Sequence, residues 1–374
     1  MKKDWMIKES ELDDDQLLVI NTILEKSCIV SGCAGSGKSV LALHKAKRIQ
    51  DKLGSDYQVI VYTIALCDYM NTGRTQLGLN NDFQYYKEWR WKREEKRYGD
   101  GRCRKVYQRD ANGNMIPNMP KSLCLIVDEV QDFKENEVRE FIAATKKNFF
   151  FFGDTAQSLY EQTLPVNRIR DLIPPGHPYK EFELFRNHRL PIPVARIAHE
   201  VGGDGEEFIE EIYKSPETAI PRFIKYNTPE DQIAAVRRII QQNGMTDVAI
   251  LLQDNASVMR AYKMLCAQGQ DCELKFSDKD DFRNNQDNLD FDSTNPKVMT
   301  FHSAKGLQFE TVFVVFAEGY TERRDTDRRS LYVALTRTSR NLYVLYSGQL
   351  PVPLSNERLK PLYKEEETDG FEEI

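Results

Sequence analysis

The sequence predicts an α/β fold of two tandem domains, each a mostly parallel sheet flanked by helices. Three observations predict it. Short β-rich apolar runs alternate with amphipathic stretches along most of the chain, the pattern of parallel strands joined by helical crossovers. Gly32-Cys33-Ala34-Gly35-Ser36-Gly37-Lys38-Ser39 follows the apolar Cys28-Ile29-Val30 and precedes the helix-like Val40-Leu41-Ala42-Leu43, which makes a strand–loop–helix unit. The chain has 374 residues, enough for two separate cores, and Leu172-Ile173-Pro174-Pro175-Gly176 divides it near the middle.

In chain order, the first-half strand candidates are 28–30, 59–63, 123–127 and 149–152. Those of the second half are 248–252, 298–301, 311–316 and 342–346. Helical patterning favours 40–52, 135–145, 229–242, 257–266 and 331–337. The linker sets domain one at 1–176 and domain two at 177–354. Residues 80–121 break the alternation. They are polar, basic and aromatic, with Tyr85, Tyr86, Trp89, Arg90, Trp91, Lys92 and Arg93, and read as a reduced insertion into domain one. Asn112-Gly113 within it reads as a tight hairpin turn. From Ser355 the chain is an acidic tail, 355–374, containing Glu365-Glu366-Glu367 and expected to be solvated and mobile. A sharper reading has that tail fill a basic strand-binding groove as an autoinhibitor.

Composition narrows the classes. Net charge is −6 and the pI about 5.6, so no global basic field advertises nucleic-acid binding, and any such contact needs a local groove. Seven cysteines, an odd number without a CxxC pair, suit a reduced cytoplasmic protein without a zinc site. The charged N-terminal region does not read as a signal peptide. The apolar runs are too short to span a bilayer, so no membrane partner is expected.

The glycine-rich run fits G-x-x-x-x-G-K-[ST], the phosphate-binding loop. Gly32, Gly35 and Gly37 let backbone N–H groups curve around a phosphate, and the following helix N-terminus adds positive charge. Lys38 can reach β- and γ-phosphates, and the Ser39 hydroxyl can hold Mg²⁺. Leu123-Cys124-Leu125-Ile126-Val127-Asp128-Glu129 is a buried strand ending in two carboxylates. Beside such a loop, Asp128 would hold Mg²⁺ and Glu129 would activate the attacking water. Gln157, after the apolar strand ending at Phe152, could bond the γ-phosphate or that water. Taken singly, these strand-end turns also read as solvated loops. In the second half, Arg189 in Arg186-Asn187-His188-Arg189 and Arg337 in Leu331-Tyr332-Val333-Ala334-Leu335-Thr336-Arg337 could stabilise a transferring phosphoryl group. A lone arginine is more often a surface ion pair. Thr300-Phe301-His302-Ser303-Ala304-Lys305-Gly306-Leu307 follows another strand.

In this order, from about Leu12 to Tyr346, the pieces resemble superfamily 1 helicases of the UvrD/Rep type. The resemblance implies two RecA-like domains with ATP in the cleft between them and 3′-to-5′ movement along single-stranded nucleic acid, usually DNA. It implies that Gln16 reads the adenine, although Asp13 and Gln16 also fit a helix capping box. Lys38, Ser39, Asp128, Glu129 and Gln157 match the phosphate, Mg²⁺ and water-activating residues, and Arg189 and Arg337 the two γ-phosphate arginines. Thr63, Tyr160, His302 and Ser303 match positions on the strand path. Gln308 replaces a common ribose-contacting glutamate. Ile64 stands where a base-stacking phenylalanine is common, and Glu161-Gln162-Thr163 lacks the usual tryptophan and arginine. Trp89 and Trp91, among basic residues, could supply the stacking instead, or could pack the insertion onto its domain. No room remains for the second large accessory subdomain. The sequence thus supports an ATP-driven translocase or helicase. The alternative is an ATPase switch subunit, stimulated by nucleic acid or by a protein partner in a repair or defence complex, without duplex unwinding.

Overall fold

The computed structural model describes residues 6–97, 103–105, 107–109, 113–117, 121–154, 164–202, 207–277, 285–322 and 325–367. The chain forms two compact units, Asp4–Phe185 and Arg186–Ile374.

The first unit contains, in order, α1 (Asp14–Asn21), β1 (Ser27–Gly32), α2 (Lys38–Leu53), β2 (Tyr57–Val61), α3 (Ile64–Leu77), β3 (Gln84–Tyr85) and α4 (Tyr86–Glu94). Two short antiparallel pairs follow, β4 (Glu95–Arg97) with β5 (Cys103–Lys105) and β6 (Tyr107–Arg109) with β7 (Met115–Pro117). Then come β8 (Ser122–Val127), α5 (Glu135–Ala143), β9 (Thr145–Gly153) and β10 (Tyr179–Leu184). Among the described residues the main sheet has six strands in the order β10-β1-β9-β8-β2-β3, paired in parallel throughout. Its central strands are buried on both faces, so they read as unbroken apolar runs: Leu125 to Val127 and Phe150 to Phe152 are fully buried. Register aligns Ser31 with Gly153 and Val127 with Phe151. The segments after β1, β8 and β9 therefore emerge at one carboxyl edge, where parallel sheets gather their ligand-binding loops.

The second unit contains α6 (Ile192–Gly202), β11 (Arg222–Tyr226), α7 (Pro229–Gln242), β12 (Val248–Leu252), α8 (Asn255–Ala267), β13 (Glu273–Phe276) and β14 (Gln286–Asp287). It continues through β15 (Lys297–Thr300), β16 (Phe309–Val314), α9 (Asp325–Leu335), β17 (Thr338–Ser347) and β18 (Lys364–Glu367). Its described strands run β14-β13-β15-β12-β16-β17-β11-β18, parallel except for β13 with β14. The expectation of an α/β fold, with a mostly parallel sheet flanked by helices, is met in both units.

Three expectations need correction. The first unit ends after Phe185 rather than after Gly176, because β10 pairs with β1 along its whole length. The Pro-Pro-Gly run is a turn into an edge strand and not a linker. The acidic tail is ordered through Glu367: β18 pairs with β11, Arg222 Nε donates to Glu366 at 2.9 Å, Lys225 Nζ to Glu367 at 2.7 Å and Tyr346 Oη to Glu365 at 3.0 Å. The carboxylates of Glu365, Glu366 and Glu367 are thus engaged within their own unit and do not fill a strand-binding groove; 368–374 lie outside the described residues. Finally, the insertion does not present Trp89 outward. Trp89 is fully buried among Tyr86, Phe133, Val138 and Phe141, and its Nε1 donates to Gln58 Oε1 at 2.8 Å. An indole so enclosed cannot stack on a base.

Candidate functional site

The glycine-rich loop turns from β1 into α2. Gly37 caps α2 at φ 86°, a left-handed conformation, and a Cβ there would lie 2.7 Å from Gln16 Nε2. Both facts require glycine. α2 begins at Lys38, so its unpaired N-terminal amides face the loop. Lys38 Nζ donates to the carbonyls of Gly32 and Cys33, each at 2.9 Å, and lies 3.9 Å from Asp154. These carbonyls hold the ammonium against the loop.

Gln16 is fixed from two sides. It closes the capping box of α1, with Asp13 N donating to its Oε1 at 3.0 Å, while its Nε2 donates to Ser36 O at 2.9 Å. The amide thereby ties the start of α1 to the glycine-rich loop.

At the end of β8, Asp128 is wholly buried and accepts from Ser39 Oγ at 2.6 Å through Oδ2. Its Oδ1 has no hydrogen-bond partner among the described residues. Burial, then the neighbouring Glu129 charge, push its carboxyl above the usual range, against the pull of Ser39 and Lys38. Glu129 sits at φ 55°, a region few non-glycine residues occupy. Its carboxylate accepts from Gln131 Nε2, and Gln131 Oε1 accepts from Asp154 N at 2.9 Å.

Gln16, the loop glycines, Lys38, Ser39, Asp128 and Glu129 are therefore assembled in the first unit. Gln131 and Asp154 belong beside them and were not singled out from sequence. The available signal was position, since each follows the end of an adjacent parallel strand. Gln157 and Tyr160 lie outside the described residues. Thr63 caps α3, its Oγ1 accepting from Leu66 N at 3.1 Å, and the following Ile64 is 44% exposed. Trp91 lies in α4, with its side chain outside the described set.

In the second unit, Arg337 is buried just past α9. Its Nε donates to Val333 O at 2.9 Å, one terminal nitrogen to Leu307 O at 3.3 Å and the other to Thr336 Oγ1 at 3.0 Å. Phe309 N donates to Arg337 O at 2.9 Å, so Arg337 brackets Gln308. On the same turn His302 is exposed, and Ser303 bonds Thr300 through its N at 3.1 Å and its Oγ at 2.9 Å. Arg189 is half-buried, its backbone N donating to Asn187 Oδ1 at 3.0 Å.

Among the described residues, no three His, Cys, Asp or Glu side chains gather as a metal cluster, and no helix is long and apolar enough to cross a membrane. A cation here would rest on Ser39 and Asp128. A buried carboxylate with an unused oxygen beside a hydroxyl is a hard-oxygen donor set that suits Mg²⁺.

The viral superfamily 1 RNA helicase core domain family matches residues 28–267, and the UvrD-like helicase C-terminal domain family matches 297–345. A probable DNA helicase of Mycoplasma pneumoniae (strain ATCC 29342 / M129 / Subtype 1) is 25% identical over 249 residues, 59% of this chain. The match takes in 43% of that protein's length. The solved C-terminal domain of a possible DNA helicase from Lactobacillus plantarum WCFS1 is similar at 20% identity and a TM-score of 0.35, over 48% of this chain and 98% of that one.

Proposed function

The chain belongs to the superfamily 1 helicases, and we propose that it hydrolyses ATP to move along single-stranded nucleic acid, DNA in preference to RNA, in the 3′-to-5′ direction. The observation that carries the reading is the strand-end cluster, in which Lys38, the Ser39–Asp128 pair and the Gln131-held Glu129 share one sheet edge. In this reading Lys38 gives up its carbonyl partners for β- and γ-phosphate oxygens. Ser39 and Asp128 hold Mg²⁺, which when bound offsets negative charge on the phosphate oxygens. Glu129 accepts the proton of the attacking water. Gln157 and the guanidinium groups of Arg189 and Arg337 are assigned to the transferring phosphoryl group, and Gln16 and Gln308 to the nucleoside. Thr63, Tyr160, His302 and Ser303 are assigned to the strand. DNA is the track that the UvrD/Rep resemblance implies, and the Mycoplasma relative is itself a probable DNA helicase.

A second reading, an ATPase switch without unwinding, is favoured by one observation. Trp89 is enclosed and Ile64 offers no ring, so two candidate stacking platforms are missing. Each stacked base is worth about 1–3 kcal/mol.

Phosphate release measured with single-stranded DNA, single-stranded RNA and duplex separates the readings. A severalfold rise with a single strand, abolished in Lys38→Ala, is expected. Turnover retained by Lys38→Ala moves the site elsewhere; indifference to every nucleic acid, or stimulation by a single strand with no displacement of a labelled strand from a tailed duplex, favours the switch.

A further inference from the structure

We propose that Gln131 is the positioning residue of the hydrolytic centre, holding the Glu129 carboxylate by bridging it to the end of β9. The inference rests on the ATPase reading above.

Gln131 is buried, at 1% exposure, and both ends of its amide are used. Nε2 donates to the Glu129 carboxylate, and Oε1 accepts from Asp154 N at 2.9 Å. The bridge needs a donor and an acceptor on one short planar group, which an amide provides. A glutamate would place charge against charge, and a methionine would fill the space with neither bond. The local backbone sends the amide back toward Glu129. A single 3₁₀ turn runs through Val130–Asp132, closed by Asp132 N to Glu129 O at 3.0 Å and Phe133 N to Val130 O at 3.2 Å, with Phe133 anchored in the core.

A second, independent observation is the clearance made for this amide. Gly153, the last residue of β9, has no side chain to obstruct it. A Cβ there would lie 2.8 Å from Gln131 Oε1, 2.7 Å from Val166 Cγ2 and 2.8 Å from Val130 Cγ1. The strand end is bare where the bridge crosses. Glu129 itself sits in an uncommon backbone region, so its carboxylate direction depends on what holds it at both ends. A misplacement of about 1 Å at a reacting group can cost about 100-fold in rate.

Gln131→Met and Gln131→Glu test this. The measurements are kcat and KM for strand-stimulated ATP hydrolysis, affinity for a fluorescent ATP analogue and the urea midpoint. Expected for Gln131→Met is a fall in kcat of about 10- to 100-fold, part of what general-base catalysis supplies, with KM, nucleotide affinity and midpoint little changed. In a Glu129→Gln background the same substitution should cost nothing further, because the group it positions is already gone. A purely structural residue would instead lower affinity and midpoint together and act independently of Glu129. A kcat within twofold of wild type, or full multiplication of the two losses, overturns the inference while leaving the ATPase reading intact. If Gln131→Met unfolds, Gln131→Glu and Gly153→Ala carry the same kcat test. Absence of ATP hydrolysis in the wild-type chain overturns both.

Discussion

Replacing Trp89 by alanine should unfold the first unit more easily rather than loosen a grip on nucleic acid. The indole is fully enclosed, 5.5 Å from the Phe141 ring centroid and stacked on Tyr86 at 6.2 Å, with Nε1 bonded to Gln58. Deleting a buried aromatic of this size costs about 3–5 kcal/mol, including the cavity left behind. That is a large part of the roughly 5–15 kcal/mol that holds a domain together. With a urea slope of about 2 kcal/mol/M, the midpoint should fall by roughly 2 M. Amide exchange in β8 and β9, the central strands of that unit, follows its unfolding. Trp89→Phe, which keeps a ring, should lose much less. A loss below about 1 kcal/mol, or unaltered unfolding with strand-stimulated hydrolysis selectively abolished, would refute this account and return Trp89 to the strand path.

Gly37→Ala forces a Cβ into a left-handed position at about 1–2 kcal/mol and displaces the Gln16 amide from Ser36. Affinity for a fluorescent ATP analogue should fall by roughly tenfold, and an affinity within twofold of wild type would count against the tight loop. Glu366 is partly buried, which alone would raise its pKa, but the bonds and charges of Arg222 and Lys364 prevail and hold it below 4.5. Its contribution is present above that pH and lost as pH falls through the lower folded value. Acidification should therefore free β18 in wild type, read as faster amide exchange at 364–367, and Glu366→Gln should free it at neutral pH. Lys45 is buried with Nζ on the carbonyls of Val19, Ile20 and Thr22, and burial lowers its pKa from 10.5 to about 8. The folded state then releases the proton first, so stability should rise between about pH 8 and 10.5, by about 3 kcal/mol. Lys45→Met should remove that rise, and parallel pH–stability curves for the two proteins would contradict it.

Legibility followed sequence distance and solvent contact. Every strand inferred from an apolar run overlaps a strand of the structure, and 229–242 and 248–252 match α7 and β12 to the residue. Thr228 and Pro229 mark the start of α7 with a capping box. The strands outside those eight apolar runs include β10, β11, β13 and β18, which carry charged residues such as Lys180, Glu181, Arg222, Lys275 and Glu366. β10 and β18 lie at a sheet edge and β11 and β13 one strand in from it, where water takes the place of a partner, so the apolar signature thins. The phosphate loop and the Asp128–Glu129 pair were legible because their spacing is local. The Gln131–Asp154 bond was not, since its partners are 23 residues apart and meet only through strand order. The basic neighbours of Trp89 left its two readings open, and packing onto the domain is the one the structure bears out. Tyr86, three residues earlier and so on the same helical face, was the sign of an inward stripe.

The turn after β15 shows why the second unit's separate candidates form one device. Thr300 Oγ1 bonds both the backbone and the hydroxyl of Ser303, and Ala304 N donates to Thr300 O at 3.1 Å. Leu307 N donates to Ala304 O at 3.1 Å, Leu307 O accepts from the Arg337 guanidinium, and Arg337 O accepts from Phe309 N. A bonded chain thus runs from the turn that exposes His302 to the arginine that brackets Gln308. Proximity alone is no proof of coupling. It does restrict what coupling could be. Arg337 is gripped through all three guanidinium nitrogens, so it cannot swing as a free side chain without breaking buried bonds, each of which is expensive to leave unmade. Any movement of that charge must therefore carry the 300–309 turn and the end of α9 with it. A residue proposed to meet the strand and residues proposed to meet the nucleotide would then be displaced together.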